Sequence, residues 1–81
     1  MARPAVDDAV SAILDAYGYP RENGWHHPDS VLDVIYEEEC WTEETAPGAC
    51  MVCFDVSDPP LRPACKCGGE IRSILSLAGE I

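Results

Sequence analysis

Large aromatic side chains and positive charge are what this sequence has least of. Its 81 residues include three Tyr, two Trp and one Phe, so little bulky surface is available to bury. A domain of this length gains barely more from burial than it loses in conformational entropy, and such chains often add a supplement: a disulfide, a metal ion or a partner subunit. Five cations face 15 acids, for a formal net charge of -10. That balance argues against direct binding of nucleic acid through its phosphates, which requires a basic patch able to displace counterions. No apolar run approaches the roughly 18 residues of a membrane-spanning helix. The opening Met1-Ala2-Arg3-Pro4-Ala5-Val6-Asp7-Asp8 lacks the basic, apolar and cleavage segments of a secretion signal, so a cytoplasmic protein is expected. Nucleophile elbows, glycine-rich phosphate loops and His-Glu-x-x-His pairs are also missing. The expectation is a protein that is not an enzyme and has no small-molecule substrate.

What is present begins with a helical pattern. Val6, Val10, Ile13, Leu14 and Tyr17 share one face of a 3.6-residue period, which predicts a helix from Pro4 to about Tyr17. Asp7 and Asp8 suit its positive end, and Gly18 with Pro20 supplies a stop. Residues 19–30 read as a loop turning at Asn23-Gly24. A second helix is expected after Ser30, capped by Ser30 or Asp29, with Val31, Leu32, Ile35 and Tyr36 facing inward. The β-branched residues of that stretch leave a short strand as the alternative. Residues 42–48 read as a loop. Beyond it, residues 51–56 and 71–77 are candidate strands, the latter fitting a short helix equally well. The expected architecture is α+β: one domain spanning 1–81, with a mainly helical half at 4–41 and a metal-binding half at 49–77.

Five cysteines demand an explanation. In a reducing compartment clustered thiols bind metal or do redox chemistry more often than they form structural disulfides. Cys50 and Cys53 are followed, eleven residues on, by Cys65 and Cys67, then Gly68-Gly69. Two close pairs joined by enough chain to turn can set four sulfurs at the corners of a tetrahedron. Each pair requires a tight turn, and Gly68 and Gly69 directly after Cys67 supply the permissive φ angles for it. This constellation resembles a zinc ribbon, a small domain built on a four-cysteine zinc knuckle, over residues 49–77 only. It departs from that pattern in having one residue, not two, between the second pair. The resemblance implies a structural Zn2+ held by Cys50, Cys53, Cys65 and Cys67; rubredoxin-like iron is the competing metal, because tetrahedral sulfur suits both. Lys66, flanked by Arg62 and Arg72, is placed to offset the charge of four thiolates. Four protein ligands leave no open position of the kind a catalytic zinc keeps. Cys40 is expected to pack beside Trp41 as a small buried residue, and His26 and His27 to sit in a solvated loop as reserve ligands.

Between Glu22 and Glu44 lie eight acids and no Lys or Arg. Glu37, Glu38, Glu39, Glu43 and Glu44, with Trp25 and Trp41, are the candidate partner-binding residues, since acids steer a basic partner and aromatic rings anchor it. The expected function is an adaptor or regulator docking on a larger, basic protein. An inhibitor that imitates nucleic-acid charge and an iron electron carrier are the alternatives.

Overall fold

The computed structural model describes residues 4–80. Helix α1, Pro4–Ala16, turns Val6, Ala9, Val10, Ile13 and Leu14 inward, the face set by their spacing. It ends in the left-handed geometry of Gly18 (φ 87°), where Tyr19 N–H donates to Leu14 O at 3.0 Å, as glycine allows at a helix C-terminus. Tyr17 lies just beyond the helix; its ring meets Trp41 edge-on at 5.4 Å and its hydroxyl donates to Asp58 Oδ1 at 3.1 Å.

The loop that follows is built, not slack. Glu22 and Trp25 exchange backbone hydrogen bonds around Asn23-Gly24, both at positive φ, the geometry of a tight hairpin turn. Arg21 donates to Asp15 Oδ2 at 2.7 Å. His26 departs from the expected solvated loop: its side chain is 4% exposed. Its Nδ1 lies 3.2 Å from Ser11 Oγ and its Nε2 3.1 Å from Tyr19 O, which ties the loop to α1.

Helix α2, Pro28–Asp33, starts earlier than the sequence suggests. Its N-cap is His27, with Pro28 at the first helical positions, so neither Ser30 nor Asp29 caps it. Proline's fixed φ suits the first turn, so Pro28 opens a helix here and does not merely end the loop. The chain continues as a π-helical turn, Val34–Glu38. Val31, Val34 and Ile35 take the inward face, while Leu32 and Tyr36 are 39% and 60% exposed, against expectation. Cys40 then adopts φ 52° and stands exposed, its thiol directed to Tyr36 O at 3.5 Å. The same reversal puts Trp41 in the core at 9% exposure.

Three short strands form one antiparallel sheet in the order β2-β1-β3: β1 Gly48–Cys50, β2 Val56–Ser57 and β3 Ile71–Ser73. Gly48 pairs with Ser57 on one side and Ser73 on the other. The strand near the first cysteine leads into it from before; residues 51–53 are a turn, because a Cys-x-x-Cys pair must bend the chain back onto its own sulfur. The 71–77 stretch is both of its expected alternatives in succession, β3 and then helix α3, Ile74–Ala78, capped by Ser73, whose hydroxyl accepts from Leu75 N–H at 3.2 Å. The architecture is thus α+β. α1, α2, β1 and α3 close over one apolar core containing Ile13, Leu14, Ile35, Trp41, Ala49, Ile74 and Leu77. Cys50, Cys65 and Ile71, with Leu61 against them, form a second, smaller cluster. Among the described residues no helix is long and apolar enough to cross a membrane.

Candidate metal centre

Each candidate ligand's position follows from local structure. Cys50 ends the central strand β1, and Cys53 closes the turn behind it, where Phe54 takes φ 62° and donates its N–H to Cys50 O at 3.0 Å. Cys65 and Cys67 occupy a second turn, pinned by Cys65 N–H to Gly69 O and Gly68 N–H to Cys65 O, each 2.9 Å. Ala64 and Glu70 bridge its base, and Gly68 sits at φ 90°.

The two turns bring all four Sγ atoms within 4.8 Å of one another. Cys50–Cys67 are 3.4 Å apart, Cys53–Cys67 3.5 Å and Cys53–Cys65 3.6 Å. A disulfide would place two sulfurs about 2.05 Å apart, so these are four separate thiols. Ligands about 2.3 Å from a tetrahedral ion stand roughly 3.8 Å from each other; the cluster has the dimensions to hold a metal ion.

Its electrostatics also fit a cation. Cys50 Sγ accepts backbone N–H groups from Val52 at 3.4 Å and Cys53 at 3.5 Å. The Cys53 N–H, and behind it that of Val52, outweigh burial and hold the Cys50 thiol down at about 6. Cys53 behaves oppositely. An Asp55 N–H favours its thiolate, yet partial desolvation of the sulfur and the neighbouring thiols of Cys67, Cys50 and Cys65 push it up to about 12. The two thiols are thus driven in opposite directions, and a divalent ion would favour the thiolate at both.

Sequence reasoning missed how tightly the second turn is seated. A Cβ on Gly69 would lie 2.6 Å from Cys50 Sγ and 2.7 Å from Val52 Cγ2. Gly69 therefore covers the buried sulfur with bare backbone, which the glycine doublet hinted at only as conformational freedom. Arg72, expected to offset the thiolate charge, has its Nη2 engaged elsewhere: it donates to Ser76 Oγ at 2.9 Å and pairs with Glu80. Arg62 and Lys66 are exposed.

The candidate partner residues divide. Glu37, Glu38, Glu39, Glu43 and Glu44 are exposed, and Trp25 is 49% exposed with its ring tilted against His27 at 4.2 Å. Trp41 belongs to the core and offers no ring to that surface. Glu39 accepts the Tyr19 hydroxyl, which pushes Tyr19 up to about 12. Glu37 is pressed against Asp33, a hydrogen bond and like charge that raise its carboxyl above the usual range. No protein family, curated protein or solved structure matches this chain.

Proposed function

We propose that this chain is a zinc-stapled protein-interaction module, an adaptor or regulator that docks on a larger partner with a basic surface. The observation carrying the reading is an acidic surface that, among the described residues, no Lys or Arg pairs with. Glu37, Glu38, Glu43 and Glu44 stand in solvent beside a helix that exposes Tyr36, while Arg21 and Arg72 are engaged by Asp15 and Glu80. A basic partner supplies the missing cations, and exposed rings add contact area. Zinc is the metal of choice because it accepts four thiolates and needs no redox partner. With its coordination filled by protein, it staples and does not catalyse. His26, whose two ring nitrogens are taken up by Ser11 and Tyr19, supports the non-catalytic reading.

The test has two arms. Elemental analysis of protein purified without chelator should find about one zinc per chain; stoichiometric iron, with visible colour, would instead make it an electron carrier. Reversing Glu37, Glu38, Glu39, Glu43 and Glu44 to Lys should abolish capture of the partner from host extract and leave metal content and dichroism unchanged, since exposed charges contribute little to stability. Capture should also fall as salt shortens the Debye length below about 10 Å. Unaltered capture after reversal would remove the acids from the docking surface. Competition by DNA for the same partner site would identify a nucleic-acid mimic.

A further inference from the structure

The four thiols are not equally shielded. Cys50 is fully buried beneath Gly69, and Cys65 is 9% exposed, whereas Cys53 and Cys67 are exposed. Three sulfur pairs lie at nearly the same separation, 3.4 Å for Cys50–Cys67, 3.5 Å for Cys53–Cys67 and 3.6 Å for Cys53–Cys65, so distance does not select among them. Access does: only in Cys53–Cys67 do both sulfurs belong to exposed residues.

We propose that this edge of the cluster is an oxidation site, at which a hydroperoxide joins Cys53 to Cys67 and releases the metal. The proposal rests on the zinc-staple reading and gives that staple a chemical trigger. One of the two thiolates attacks the O–O bond; an S–O bond forms and hydroxide or alkoxide leaves, giving a sulfenic acid. The second thiolate attacks that sulfur; the S–S bond forms and hydroxide leaves. Two sulfurs lose one electron each, the peroxide bond gains both, and solvent protons convert the departing anions to water or alcohol. The ion keeps only Cys50 and Cys65, half its ligands, and dissociates. Cys40, exposed with its thiol turned to the Tyr36 carbonyl, is the competing target outside the cluster.

The experiment treats the zinc-loaded full chain with hydrogen peroxide at neutral pH. A chromogenic chelator reports released zinc, iodoacetamide traps remaining thiols, and fragmentation mass spectrometry assigns the disulfide. The expected result is release of about one ion per chain in step with a Cys53–Cys67 disulfide. Cys50 and Cys65 should be recovered alkylated, and dithiothreitol with added zinc should restore the metal. Cys40→Ser should release zinc at an unchanged rate. A first disulfide containing Cys50, Cys65 or Cys40, or slower release from Cys40→Ser, would overturn the assignment. Reconstitution separates the two readings: a chain that takes up no zinc from zinc chloride refutes the staple itself, whereas one that takes it up and then forms another disulfide refutes only the oxidation site.

Discussion

The helical side of this molecule and its cysteine side are held together by different means. Around α1 and α2 the core is assembled from many modest contributions, Val6, Val10, Ile13, Leu14, Val31 and Ile35 among them, and the loss of one weakens the packing in proportion to its volume. The cysteine side has a cluster of Cys50, Cys65 and Ile71, two of whose three members are metal-ligand candidates. A region with so little apolar surface has no graded reserve, and on the zinc-staple proposal its order depends on the ion. On that proposal a chain poor in aromatic residues solves its core problem twice, by area where it has leucines and isoleucines and by coordination where it has sulfur.

Removing the metal tests that contrast most severely. Structural zinc in small peptides binds with an apparent free energy of about 10–16 kcal/mol, comparable to the roughly 5–15 kcal/mol of net stability of a whole domain. Chelation should therefore collapse the three-stranded sheet and most of the helical dichroism with it, because β1 is shared by both sides. Retention of dispersed amide resonances for residues 48–73 after chelation would refute the contrast. Leu14→Ala, fully buried on α1, should cost about 2–5 kcal/mol, read as a fall in melting temperature with metal stoichiometry preserved. Gly69→Ala should act on the other side. With its Cβ forced to within 2.6 Å of Cys50 Sγ, a strain of about 1–3 kcal/mol should appear as weaker zinc affinity in a competition titration with a chelator.

The smallest effect concerns acid. The Arg21 hydrogen bond, opposed by some desolvation, holds the Asp15 carboxyl below its ordinary value of 3.8. Such a group stabilises the fold above the unfolded pKa, and that contribution is lost as pH falls through the lower folded value. Both side chains are more than 40% exposed, so the pair is worth under about 1 kcal/mol. Arg21→Ala should lower the melting temperature slightly at pH 6, and the gap from the unmodified chain should close below about pH 4.

What could be read from the sequence followed from strong local signals. The i, i+3, i+4 spacing of α1 admits one buried face, and two cysteine pairs eleven residues apart have few reasons to exist other than a shared point in space. Signals that depend on tertiary choice were harder. His27-Pro28 and Asp29-Ser30 are both good helix starts, and the choice fell to the proline. Cys-Met-Val-Cys-Phe has β character, but the turn that returns Cys53 and Val52 N–H groups to Cys50 overrides it. Trp41 follows three glutamates and so reads as surface, yet one residue at positive φ, Cys40, reverses the chain and returns the indole to the core. His26 gave no sign in sequence of its bonds to Ser11 and Tyr19.

The division of the two indoles has an optical consequence. Trp41, in the core against Tyr17, should emit at short wavelength and resist quenching by acrylamide, whereas Trp25, half in solvent against His27, should emit to the red and be quenched readily. Fluorescence from Trp25→Phe then follows the integrity of the packed interior alone, and Trp41→Phe leaves a single lamp on the loop surface, lit or dimmed by whatever comes to rest beside it.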